Sequence, residues 1–174
     1  GTLIFNAGVT AWLSLDSVDS VTVDDVSIEA TVTNLVNLFQ CSASDTVVGS
    51  LNLTNCVISN VAFFRDTSWT TGGVDFVTIS NNRVDLTDSR ISWFKASDMN
   101  HEQITVADNI FTNVSYVTIE VGRTSGRVGS MVVNNNVVIN DPTYSHIGTS
   151  GSYFTFVLYE GEDLRYFNNH VEGL

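Results

Sequence analysis

Basic residues are scarce: seven lysines and arginines stand against nineteen aspartates and glutamates, a net charge of −12. A nucleic-acid partner needs a basic patch to displace counterions, so none is expected, and docking on an anionic membrane is equally disfavoured. No apolar run approaches the roughly 18 residues of a spanning helix, and the opening GTLIFNAGVTAWL lacks the basic start of a signal peptide. Membrane insertion is therefore not expected. Cys41 and Cys56 are the only cysteines and have no metal-like spacing; a small buried thiol is the expectation for Cys56. No P-loop, dinucleotide fingerprint, nucleophile motif or zinc spacing occurs, so neither cofactor nor metal is expected. A sustained 3.6-residue apolar period is missing as well, which predicts little helix.

What the chain has instead is one recurring phrase. VTISNNRV starts at Val77, ITVADNIF at Ile104, MVVNNNVV at Met131 and LRYFNNHV at Leu164, with weaker copies LNLTNCVI at Leu51 and VTVDDVSI at Val21. The starts 21, 51, 77, 104, 131 and 164 lie 30, 26, 27, 27 and 33 residues apart. Each copy opens with alternating apolar residues, such as Val77/Ile79 and Ile104/Val106, around a mostly polar one. That period of two makes a strand with one buried face. A second short strand follows the Asn pair. A third recurs in LVNLFQ (35–40), VAFFRD (61–66), ISWFKA (91–96), VTIEVG (117–122) and YFTFVLY (153–159).

Three short strands repeating about every 27 residues suit a parallel β-helix, an all-β solenoid in which like strands stack into three sheets. About six coils over residues 1–174 are expected, right-handed because parallel crossovers almost always are, with the unequal spacing absorbed in the turns. A β-sandwich or jelly roll is the alternative, but neither normally repeats one phrase at one spacing. A chain that begins at Gly1 and stops mid-pattern at NNHVEGL reads as a piece of something longer, and an open coil at either end would expose strand edges that need a neighbour.

Asparagine tolerates left-handed backbone angles, so the pair suits the sharp bend between two sheets. Stacked amides can also hydrogen-bond along the axis. Such a ladder is expected at Asn82, Asn109, Asn136 and Asn169, with Asn81, Asp108, Asn135 and Asn168 beside it.

The unit h-x-h-x-N-N-x-h, where h is apolar, resembles the repeat of right-handed parallel β-helix proteins of the pectate-lyase-like superfamily. That group includes phage tailspikes and appendage proteins as well as polysaccharide lyases and pectinases. The resemblance covers almost the whole chain and is specific for fold but nearly silent on function. It implies a structural or receptor-binding segment of a viral tailspike, fibre or appendage that recognises a host surface polysaccharide. Homotrimeric assembly, other virion proteins as partners, and a place on a virion or outside the cell go with that reading. The alternatives are a polysaccharide hydrolase or lyase of the same fold, and a bacterial surface adhesin.

Were the chain catalytic, paired carboxylates would be its tools, about 5–5.5 Å apart for retaining and 6.5–9.5 Å for inverting glycoside hydrolysis. The candidates are Asp66, Asp85, Asp88, Glu120 and Glu160, none of them a conspicuous cluster. Asp16, Asp19, Asp24 and Asp25 could hold calcium but match no loop signature. His101, His146 and His170 lie in or beside turns and read as solvated surface. In the third strand, alternation assigns Leu38, Phe63, Trp93, Ile119 and Phe156 to one face and Phe39, Phe64, Phe94, Glu120 and Val157 to the other. Only one face can enter a narrow core. Phe39, Phe64 and Phe94 therefore read as an apolar stripe at a subunit or domain interface or as a sugar-stacking platform, unless the register slips by one or a long turn of the same chain folds over them.

Overall fold

The computed structural model describes residues 1–5, 11–15, 18–31, 37–41, 47–66, 72–86, 93–96, 99–113, 119–121, 126–141, 156–158 and 161–172. The chain passes first through β1 (Thr2–Phe5), β2 (Ala11–Leu15) and β3 (Val18–Asp24). A second passage is β4 (Ser27–Ala30), β5 (Asn37–Cys41) and β6 (Val47–Thr54), and a third is β7 (Val57–Ser59), β8 (Ala62–Asp66) and β9 (Gly73–Ser80). Then come β10 (Arg83–Asp85), β11 (Phe94–Ala96) and β12 (His101–Ala107), followed by β13 (Ile110–Thr112), β14 (Ile119–Val121) and β15 (Val128–Asn134). The sixth passage is β16 (Val137–Ile139), β17 (Phe156–Leu158) and β18 (Gly161–Phe167), after which β19 (His170–Glu172) re-enters the sheet where the chain began.

Every third strand pairs with its counterpart in the next passage, always in parallel. The first sheet runs β1-β4-β7-β10-β13-β16-β19, the second β2-β5-β8-β11-β14-β17 and the third β3-β6-β9-β12-β15-β18. This is a β-solenoid, and the expected count of about six coils becomes six passages plus one strand. A sandwich or jelly roll, built on antiparallel pairs, is excluded.

The repeat and the register coincide. Val21, Leu51, Val77, Ile104, Met131 and Leu164, the first residues of the six phrases, are successive Cα partners across the third sheet. Two residues on, Leu53, Ile79, Val106 and Val133 form a second inward column, all fully buried. Opposite them the first sheet contributes Ile28, Ile58, Val84, Phe111 and Val138. Each such side chain adds about 1.5–3 kcal/mol on leaving water, so stacked columns supply the driving force.

The second sheet departs from strict alternation. Phe39, Phe64 and Phe94 are fully buried within the chain, and so are Leu38, Phe63 and Trp93. The reason lies in the backbone: the Phe63 and Phe64 N–H groups both donate to the Trp93 carbonyl, at 2.7 and 3.3 Å. Two donors on one acceptor mark a bulge, and at a bulge successive side chains need not point to opposite faces. The two rows form one cluster, with Phe39 edge-on to Phe63 (5.7 Å between centroids), Phe63 stacked on Trp93 (5.5 Å) and Phe64 stacked on Phe94 (5.3 Å). The expected exposed stripe is thus corrected, and with it the interface or platform inferred from these phenylalanines. The register also shifts: Phe94 pairs with Ile119, while Glu120 falls between Lys95 and Val157.

Candidate functional site

The corners fix where every outward side chain stands. Asp25, Asn55, Asn81, Asp108, Asn135 and Asn168 all have φ between 53° and 59°, a left-handed conformation that side-chain-bearing residues other than Asn and Asp rarely adopt. Each is the first member of its pair. Asn60 and Asn113 form left-handed turns at the next corner, after β7 and β13, where no repeated phrase pointed to them.

The second member of each pair turns inward. The Asn82 Nδ2 donates to the Leu53 carbonyl (2.9 Å) and to Asn109 Oδ1 (3.0 Å), which also accepts the Asn82 backbone N–H. Asn109 repeats this with Ile79 and Asn136, and Asn136 with Val106 and Asn169. Asn82, Asn109 and Asn136 are buried, so the ladder offers no amide to a ligand over that stretch. Cys56 occupies the same seat one coil earlier: its N–H donates to Asn82 Oδ1 and its thiol to the Thr54 carbonyl, while burial raises the thiol pKa.

The third sheet carries a different break in alternation. Val48, Val74, His101 and Val128 point inward, as do Leu51, Val77, Ile104 and Met131 three residues later. Both intervening residues in each coil therefore lie outward: Gly49–Ser50, Asp75–Phe76, Glu102–Gln103 and Gly129–Ser130. A methyl group on Gly129 would come within 2.7 Å of the Glu102 carbonyl oxygen, and one on Gly73 within 2.1 Å of that of Asn100, so the backbones touch where no side chain can stand. A groove of about 440 Å³ opens over this line. Asp75, Glu102 and Glu162 line it together with Arg127, which forms an exposed ion pair with Glu162. The partners on either side, Phe76 with Gln103 and Gly73 with Asn100, put Asp75 and Glu102 on neighbouring rungs, roughly 4.8 Å apart along the axis.

Beside the groove stands Phe76, 47% exposed. Its rung neighbours are Ser50 and Gln103, and the next outward column runs Thr22, Asn52, Thr78 and Thr105. Hydroxyls and amides tie this face into a lattice: Ser50 donates to Ser20 (2.9 Å), Asn52 to Thr22 (3.3 Å) and Gln103 to Thr105 (3.2 Å). The result, from β3 to β12, is a largely polar face from which the Phe76 ring stands out; Phe167, 45% exposed, is an outward aromatic farther along the same sheet, on β18.

His101 is buried, which corrects its reading as solvated surface. It fills a place that its column gives to Val48, Val74 and Val128. The ring packs against Phe94, Nδ1 lies 2.8 Å from the Val74 carbonyl, and Nε2 has no partner among the described residues. Burial lowers its pKa to about 4, with the Val74 contact opposing.

Of the carboxylates chosen from sequence, Asp66, Asp85 and Glu120 lie on described strands. Asp85 sits on β10 between Ser59 and Thr112, in the first sheet, whereas Asp66 and Glu120 lie on strands of the second. Asp88 and Glu160 lie outside the described residues, as do Asp16 and His146. Asp24 has its carboxylate committed to Thr54 (2.6 Å) and Asn55 (2.8 Å), which hold its pKa below the usual range. His170 is exposed near Glu172. Among the described residues no group of three metal-ligating side chains converges, and no helix is long and apolar enough to cross a membrane. No known protein family, curated protein or solved structure matches this chain.

Proposed function

We propose that the chain is a carbohydrate-binding β-solenoid segment, of the kind that phage tailspikes and other surface appendages present to a host polysaccharide. The observation that carries this reading is Phe76. A half-exposed phenylalanine in the middle of a hydrogen-bonded Ser/Thr/Asn face adds nothing to the core. A sugar offers what such a face can use, an apolar C–H side for the ring and a rim of hydroxyls for neighbouring oxygens and amides. The adjoining groove supplies carboxylate acceptors in Asp75 and Glu102 and a guanidinium donor in Arg127. Titration with capsular and lipopolysaccharide fragments is expected to give saturable binding, weakened about tenfold by Phe76→Ala, the loss of roughly 1.4 kcal/mol. Binding that ignores this substitution would sink the proposal.

Asp75 and Glu102 favour a second reading, hydrolysis or elimination in the groove, because their rung spacing of roughly 4.8 Å approaches the separation used by retaining glycosidases. Release of oligosaccharides that disappears in both Asp75→Asn and Glu102→Gln, with binding retained, identifies an enzyme. Binding without release identifies a lectin-like segment.

A further inference from the structure

One outward column of the third sheet holds only acids and glycines. The paired residues on either side place Asp19, Gly49, Asp75, Glu102, Gly129 and Glu162 on successive rungs. Asp75 and Glu102 occupy the middle, one rung of roughly 4.8 Å apart. A glycine clears the rung beyond each of them, and the clearance is enforced by the backbone. A methyl group on Gly49 would come within 2.6 Å of the Asp19 carbonyl oxygen, much as one on Gly129 would meet that of Glu102.

Like charges opposed on neighbouring strands repel, and nothing in this column relieves them. Among the described residues, neither Asp75 nor Glu102 has a hydrogen bond or an ion pair. Arg127 is engaged by Glu162, and three carboxylates line the groove against that single guanidinium. The groove is therefore matched to positive charge, although the neighbouring face suits a sugar.

We propose that the groove takes a linear polysaccharide of amino sugars with free, protonated amino groups, lying along the solenoid axis with one ammonium held between Asp75 and Glu102. An ammonium offers three donors and no acceptor, and at about 2.8 Å from an oxygen of each carboxylate it bridges a gap of one rung. The cleared rungs at Gly49 and Gly129 let the chain of sugars pass on either side without meeting a side chain. Phe76, in the adjoining column with Ser50, Gln103 and Ser130, receives the C–H face while these neighbours meet the hydroxyls. Polysaccharides of uronic acids are rejected, since their carboxylates would be set against Asp75 and Glu102. A lysine-rich peptide would find the same charges but no use for the hydroxyl and amide groups around the ring. This inference rests on the carbohydrate reading and narrows it to one class of sugar.

The probes are a glucosamine hexamer with free amino groups, its fully N-acetylated counterpart, a galacturonate hexamer and hexalysine. Calorimetric titration of the full chain at mildly acid pH and low salt is expected to show saturable binding of the free-amine hexamer. It should bind about tenfold tighter than the N-acetylated form, because exposed charge pairs are individually weak, and the galacturonate hexamer should not bind. Sodium chloride at about 0.5 M should erase most of that preference. In the double variant Asp75→Asn/Glu102→Gln the preference should fall to near one. Its urea midpoint should rise, since the repulsion between the two acids is gone. Phe76→Ala should weaken both glucosamine hexamers alike. Equal or tighter binding of the N-acetylated form would overturn the amino-sugar assignment while leaving the carbohydrate reading in place. Hexalysine bound as tightly as the amine hexamer would overturn it in favour of a basic peptide. A preference that survives in the double variant, or no binding of either glucosamine hexamer, would overturn it as well, and the capsular titration then decides the carbohydrate reading separately.

Discussion

Asn109 shows how much a single amide can organise. Its Nδ2 satisfies the Ile79 carbonyl and Asn136 Oδ1, and its Oδ1 receives both the backbone and the side-chain N–H of Asn82. Truncation strands these groups where water cannot replace the loss. Asn109→Ala is expected to cost about 3–4 kcal/mol in urea unfolding, since each unsatisfied buried polar group costs about 1–3 kcal/mol. Asn169 makes similar bonds at the partly exposed end of the ladder, and there water can stand in, so Asn169→Ala should cost only about 1 kcal/mol. Equal losses at the two positions would mean that burial does not set the ladder's strength. Cys56 offers the converse experiment. Its thiol occupies an amide's seat, and Cys56→Asn should add one rung and about 1 kcal/mol, read as a higher urea midpoint at unchanged slope.

The strands depend on corners that hold one angle in every coil. Asn81, between β9 and β10, has φ 57° and an exposed side chain, so its backbone angle alone decides what it tolerates. Asn81→Gly is expected to lie within about 0.5 kcal/mol of the parent, while Asn81→Val should lose about 1–2 kcal/mol because a β-branched residue resists the left-handed region. Thermal unfolding of the two variants checks the contrast. These corners were legible in the sequence because one phrase combined a period-two strand with a residue suited to φ > 0, and both signals are local. The groove was not legible, for a physical reason. Two outward residues in succession, Asp75–Phe76 and Glu102–Gln103, break the alternation by which an outward carboxylate would be recognised. The same break turns His101, three residues before Ile104, into the core. In the second sheet the shared Trp93 carbonyl buries Phe63 and Phe64 together, so a face that pattern alone assigns to the outside is inside.

At the scale of the whole molecule, two opposed effects govern the response to acid. A net charge of −12 repels itself, and protonating carboxylates relieves that strain as pH falls. His101 acts the other way. Its folded pKa, about 4, lies below the ordinary value near 6.5, so the unfolded chain takes up the proton first. The stability that this histidine retains by staying neutral is therefore fully present above about pH 6.5, lost progressively as pH falls toward 4, and not lost further below that. With 1.36 kcal/mol per unit, the change is on the order of 3 kcal/mol. Comparison with His101→Val separates the two effects, because the carboxylates are common to both chains and valine already fills this column at Val74 and Val128. The stability difference between parent and variant should be flat above pH 7 and then move in favour of the variant between about 6.5 and 4. It should level off below 4, where any further change common to both chains belongs to the carboxylates. A difference independent of pH across that window would mean that His101 is protonated in the folded chain at its ordinary pKa, with water reaching an Nε2 that the packing around Phe94 otherwise seals.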